Sequence, residues 1–148
     1  MRICIAHISG IKQERSFGKE VELYVGRLGS YAPVEVWRER TEAALLERLA
    51  KHAGRTTTWL VLLDGRGEQI SSEQLARVVE RERDGGRQEI VFAIGPADGW
   101  SEKARERADL LLSFGPMTFP HELARVMLAE QIYRAFTILA GHPYHCGH

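Results

Sequence analysis

Short apolar runs alternate along the chain with longer stretches in which apolar residues recur every three or four positions. Arg2–Ile8 is a β-rich run, and a helical pattern follows Gly10 through about Leu28. Residues 34–37 read as a second strand. Thr41 is placed to cap a helix from Glu42 to about Ala53, with Ala44, Leu45, Leu49 and Ala53 on one face. Residues 59–63 (Trp-Leu-Val-Leu-Leu) are continuously apolar, as expected of a strand covered on both faces, and Asp64-Gly65 ends the run. Ser71 or Ser72 caps a helix reaching about Arg83, which Asp84-Gly85-Gly86 stops. Residues 90–94 are again wholly apolar, Ser101 opens a short helix, residues 109–114 give a last strand, and a long helix follows Pro120.

This order predicts an α/β fold, a mainly parallel sheet covered by helices. In such sheets ligands bind beyond the carboxyl ends of the strands. The segments 64–68, 95–99 and 115–120 leave those ends, and each carries Gly or Pro. Gly95-Pro96-Ala97-Asp98-Gly99 reads equally well as a plain strand-to-helix turn. It is neither a dinucleotide fingerprint nor a phosphate loop. In the last helix Pro120 suits the first helical position, with Thr118 or Phe119 at the cap. His121 and Arg125, four apart, share a face beside that end, and Glu130, Arg134 and Thr137 fall elsewhere. Most other positions are apolar, so the helix expects contacts on several sides, and a partner subunit is one way to supply them.

Composition narrows the class. The 148 residues suit one domain, 1–148, with a real core. No apolar run is long enough to span a bilayer, and a signal-peptide layout is absent, so a cytoplasmic protein without membrane contact is expected. The two cysteines, Cys4 and Cys146, make no disulfide framework, and Cys4 reads as a small buried hydrophobe. Lys and Arg together number 20, as do Asp and Glu, so nucleic-acid binding would need a local patch. His142, His145, Cys146 and His148 are possible metal ligands, but no second segment completes a set and no native metal is expected. A G-x-S-x-G elbow is missing, which removes that hydrolase class. Trp37 and Trp59 suit core or edge packing better than base stacking, and Trp100 stands in a loop beyond a strand end.

Several segments together carry a resemblance: Leu-Leu-Asp-Gly-Arg-Gly at 62–67, Ser71-Ser72, Ile-Gly-Pro-Ala-Asp-Gly at 94–99, and Met-Thr-Phe-Pro-His through Pro-Tyr-His over 117–145. In order and spacing they resemble the small bacterial large-subunit ribosomal RNA methyltransferases of the SPOUT class, which methylate N3 of a pseudouridine in the helix-69 loop of 23S rRNA. The resemblance implies a parallel-sheet fold with helices on both faces, a trefoil knot on the carboxyl-terminal side, a homodimer, and S-adenosyl-L-methionine as methyl donor. By motif, the cofactor would be held by Leu63, Gly95, Pro96, Gly115, Pro116, Met117, Thr118, Phe119 and Pro120. His121, Arg125, Arg134, Tyr144 and His145 would face the RNA of an assembled ribosome.

Two departures qualify the carry-over. Pro96 stands where the family usually has Gly, which removes an N–H and fixes φ. Cys146-Gly147-His148 follow His145 where the family has Arg or Lys. A non-catalytic ribosome-binding module that has lost its cofactor is therefore an alternative. Methyl transfer to a ring nitrogen needs alignment and a base near the working pH, and His121 or His145 is the candidate. Either His could instead position RNA or cap a helix, and Arg134 could simply pair with Glu130.

Overall fold

The computed structural model describes residues 1–9 and 17–146. The elements are β1 (Arg2–Ile8), α1 (Gly18–Leu28), β2 (Val34–Glu39), α2 (Glu42–His52), β3 (Thr58–Gln69), α3 (Ser72–Asp84), β4 (Glu89–Ile94), α4 (Glu102–Arg107), β5 (Leu110–Ser113) and α5 (His121–Leu139). All strand pairs are parallel, in the order β2-β1-β4-β3-β5. The first part of the helical pattern after Gly10 lies outside the described residues.

Alternation along the strands sorts the two faces. Ile3 and Ile5 of β1, Ile90 and Phe92 of β4, and Val61 of β3 pack with Leu28 and Ala32, Leu75 and Val79 of α3, and Leu128, Ile132 and Phe136 of α5. Cys4, Ala6, Leu60, Leu62, Val91 and Ala93 point the other way, onto Leu45 and Leu49 of α2 and Ala104 of α4. Helices α1, α3 and α5 thus cover one face and α2 and α4 the other, giving the α/β fold with helices on both faces. Leu46, rather than the exposed Ala53, completes the apolar face of α2. Helix α5 runs between α1 and α3 against the sheet, so most of its broad apolar surface is covered within one chain.

Caps fall where the sequence puts them. Thr41, Ser71 and Ser101 each accept a hydrogen bond from the main-chain N–H three residues on, and Gln74 Oε1 accepts one from the Ser71 N–H, closing a capping box. Each such cap contributes about 1 kcal/mol. Two expectations are corrected. Pro120 is the N-cap of α5, with extended ψ of 142°, and His121 is the first helical residue. And Asp64-Gly65 does not end β3. Leu63 and Glu68 both stand opposite Leu112 of β5, so the strand buckles over 64–67 and resumes to Gln69. Asp64 makes the buckle by accepting from the Arg66 N–H at 2.8 Å. Gly67 allows it, since a Cβ there would lie 2.5 Å from the Leu111 main chain.

Candidate functional site

The buckle of β3, the loop after β4 and the loop after β5 converge at the carboxyl ends of the strands around a cleft of about 620 Å³. Leu63, Gly95 and Pro96 form one wall and the run from Gly115 to Pro120 the other, so all nine residues expected to hold a cofactor meet here, together with His121. Gly115 turns the chain with φ 120°, a conformation that side chains disfavour. Ser113 Oγ accepts from the Gly115 N–H at 3.0 Å and fixes that turn. Pro96 begins a turn in which the Gly99 N–H donates to its carbonyl at 2.9 Å, with Gly99 at φ 88°. Pro96 therefore offers the cleft a carbonyl and a ring rather than an N–H. Met117 is 77% exposed at the rim.

Trp100, which the sequence sets in a loop beyond a strand end and favours for packing, is a structural part of this cleft. It is buried, its indole N–H donates to the Leu63 carbonyl at 2.9 Å, and its ring lies under Gly95, where an added Cβ would come within 2.7 Å of it. One side chain thus ties β3, just before its buckle, to the loop after β4. Sequence reasoning missed Asp64 as part of the site. Its side chain is 6% exposed between Arg66 and Arg105. Burial pushes its carboxyl up, but the main-chain and guanidinium hydrogen bonds from Arg66 outweigh that and hold it below the usual range.

His121 enters the cleft from the first turn of α5. Burial pushes its pKa down; Glu122 raises it, Arg125 lowers it, and a hydrogen bond with the Gly95 main chain raises it, for a net fall. The ring is thus neutral near neutral pH, and its Nε2 has no partner among the described residues. Arg125, one turn on, has Glu122 as its ion-pair partner at 4.0 Å, and burial lowers its pKa.

The structure does not bring the tail to this cleft. His145 Nδ1 lies 2.9 Å from Arg134 and its Nε2 lies 2.8 Å from Glu73 of α3. The Tyr144 hydroxyl donates to Glu130 at 2.9 Å, and Glu130 also pairs with Arg134 at 2.7 Å. Burial and the Glu130 carboxylate push the Tyr144 hydroxyl well above the usual phenol range. From His121 to Arg134 the helix axis rises by about 20 Å. Of the five residues expected to face RNA, His121 lines the cleft, Arg125 lies one helical turn on from it, and Arg134, Tyr144 and His145 form a separate cluster.

Among the described residues no three His, Cys, Asp or Glu side chains gather as a metal set; His148 lies outside them. No described helix is long and apolar enough to cross a membrane. Trp37 is buried, with the Arg48 guanidinium 4.0 Å from its ring centroid, and Trp59 is partly buried in the core.

The fold is a parallel α/β sheet with a glycine- and proline-lined cleft beyond its carboxyl ends, the place where sheets of this class bind ligands. The family model described as "Predicted SPOUT methyltransferase" matches residues 1–145, and the chain belongs to that family. It is 51% identical to the Ribosomal RNA large subunit methyltransferase H of Koribacter versatilis, over 84% of this chain and 85% of that one. Identity to the protein of the same name from Geotalea daltonii is 44%, over 92% and 94%. Among solved structures it is similar to a probable methylase family protein from Haemophilus influenzae Rd KW20, with a TM-score of 0.56, 11% identity, and coverage of 98% of this chain and 70% of that one. That similarity supports the fold.

Proposed function

We propose that the protein is a ribosomal RNA methyltransferase that uses S-adenosyl-L-methionine and acts on N3 of a pseudouridine in the helix-69 loop of 23S rRNA. The observation that carries this reading is the convergence of the family's cofactor residues, Leu63, Gly95, Pro96 and 115–120, on one cleft with His121 in its wall. The residues suit the donor. A cleft of about 620 Å³ is within the usual range for a small-molecule site. Its turns at 95–99 and 115–120 bring main chain to the cleft, and Leu63, Met117 and Phe119 supply apolar surface for an adenine. The bound donor would supply an electrophilic methyl group on a sulfonium.

The chain's own residues do the rest. The turns fix the nucleophile's approach, which is where most of the rate gain of such a transfer lies. His121, neutral and with a free ring nitrogen, is the base for the proton on the ring N3. Arg125 holds the RNA beside it. The α5 start has no side-chain cap, so its N–H groups favour an electron-rich partner there.

A homodimer belongs to this reading, as does a knotted carboxyl-terminal segment. A second cavity, about 560 Å³, lies between Tyr24 of α1, Leu75 of α3 and Val126 and Met127 of α5, and Leu23 of α1 is 48% exposed. This gives a second copy an apolar surface. Since Arg134, Tyr144 and His145 stand apart from their own cleft, their part in RNA binding would be toward the cleft of the other subunit. The whole chain, 1–148, acts as one domain, and a ribosomal substrate places it in the cytoplasm.

The test is calorimetric titration with S-adenosyl-L-methionine, followed by transfer of a radiolabelled methyl group to ribosomes. One-site binding with transfer is expected. His121→Gln should keep the affinity and lose about 10²-fold or more in transfer. No binding by folded protein would refute the enzyme and favour the non-catalytic ribosome-binding module, which Pro96 and the tail after His145 support.

A further inference from the structure

His7 is a polar residue in a strand whose same-face neighbours, Ile3 and Ile5, are core. It sits near the carboxyl end of β1, opposite Arg38 of β2 and Ile94 of β4, and points to the α5 face. Its side chain belongs to a residue only 5% exposed, and its Nδ1 has no hydrogen-bond partner among the described residues. Its ring lies edge-on to His121, centroids 6.3 Å apart, and His121 Nε2 is likewise without a partner. A buried ring nitrogen left unmatched is costly, so two side by side mark a place made for something else.

The charges around the pair say what. Arg125 and Arg38 both act on His7, and burial followed by these cations and His121 pushes its pKa down to about 4. Arg38 is exposed; its Nε donates to the buried Ser9 hydroxyl at 3.0 Å, and it has no carboxylate partner among the described residues. Among the described residues Glu122 is the one carboxylate facing the group, 4.0 Å from Arg125. Among them two guanidiniums, two imidazoles and a hydroxyl face that single carboxylate, so their balance is positive although the chain is neutral overall. Guanidinium forks with N–H and O–H donors are the usual seat of a phosphate.

We propose that Arg38, Arg125 and His7, beside His121, seat a phosphate group of the RNA backbone at the edge of the cofactor cleft. This rests on the reading of the protein as an RNA methyltransferase. It adds Arg38 and His7 as positioning residues, which carry the nucleotide next to His121 without touching the reacting atoms. The shared chemistry is a phosphate, and a free phosphate ion is the other source.

Affinity for ribosomes is measured against salt for the wild type, Arg38→Gln, Arg38→Lys and His7→Val, with S-adenosyl-L-methionine affinity as the check on folding. Arg38→Gln should bind several-fold more weakly and lower the slope of log K against log salt by about 0.7–0.9, the signature of one lost phosphate contact. Arg38→Lys should keep the slope, and His7→Val should weaken binding without changing it. Wild-type affinity and slope in both Arg38→Gln and His7→Val would overturn the proposal. Ribosome binding without methyl transfer would sink the enzymatic reading and leave the seat standing. If the wild type binds no ribosome, a titration with inorganic phosphate followed by the His7 and His121 ring resonances decides. Saturable shifts lost in Arg38→Gln keep an anion seat, and unmoved resonances overturn it.

Discussion

Replacing His7 by Val should flatten the acid side of the stability profile. His7 titrates near 6.5 when exposed and at about 4 in the fold, where burial and then the cations of Arg125 and Arg38 oppose its charge. Between those values the unfolded chain binds a proton that the native chain refuses, so stability falls as pH drops through the window. At pH 5 the unfolded imidazole is almost fully protonated and the native one is not, which costs the wild type about 2 kcal/mol relative to pH 7. His121, also lowered, adds a cost of the same sign. Val suits a strand, leaves the alternation of β1 intact and carries no proton. Urea denaturation of both proteins at pH 7 and pH 5 gives the double difference, in which the titrating groups not coupled to His7 cancel. The variant should lose about 2 kcal/mol less than the wild type on acidification. A double difference below about 0.5 kcal/mol would mean that the His7 ring is free to take up a proton in the fold, and the account of its burial would be wrong.

Gly95→Ala should drive the Trp100 ring off the Leu63 carbonyl, since the new Cβ would come within 2.7 Å of it. The expected outcome is a loss of about 1–3 kcal/mol in stability, seen by thermal denaturation, and weaker cofactor binding by calorimetry. Glu89 is fully buried at the opposite end of the sheet, where it takes hydrogen bonds from Arg2 and Thr58. Glu89→Ala should cost about 3 kcal/mol in urea denaturation, leaving cofactor affinity unchanged. Cys4 is wholly buried, and burial followed by the Glu89 carboxylate raises its thiol. A thiol reagent should therefore modify the exposed Cys146 alone in the native protein and both cysteines in denaturant, read by mass spectrometry.

Local physics made most of the fold legible. Strands β3 and β4 announce themselves by unbroken apolar runs because each is covered on both faces, and three helices begin at a side-chain cap visible in the sequence. The buckle in β3 was not legible. Asp64-Gly65 has the residues of a strand end, and only the long-range pairing of Glu68 and Gln69 with β5 makes it an interruption. The apolar circumference of α5 suggested a partner chain because the sequence does not say that α1 and α3 flank it on both sides. The cleft was readable as three loops at strand ends, and the residues named by motif line it. The loop position of Trp100 was readable too, but not its partner, since an indole bonding to a main-chain carbonyl 37 residues away leaves no local mark.

Charge shows the same division between local and long-range information. Equal numbers of acids and bases argue against a basic nucleic-acid surface, and most arginines do spend their charge inside the protein. Arg77 pairs with Glu80, Arg87 with Glu82, Arg48 with Glu39, and Arg134 with Glu130. The Arg77 pair is exposed and the other three are part-buried, and each one removes a cation from the set that can meet a phosphate. What remains decides the electrostatics of binding. Among the described residues Arg38, like Arg27, Arg40 and Arg55, has no carboxylate partner and Arg125 only one at 4.0 Å; of these, Arg38 and Arg125 both act on His7. A chain of zero net charge then binds RNA through few contacts. Its affinity should fall gently with salt, with a slope near that of two phosphates rather than the steep dependence of a basic surface. A slope corresponding to six or more contacts would place the RNA on a face other than this one.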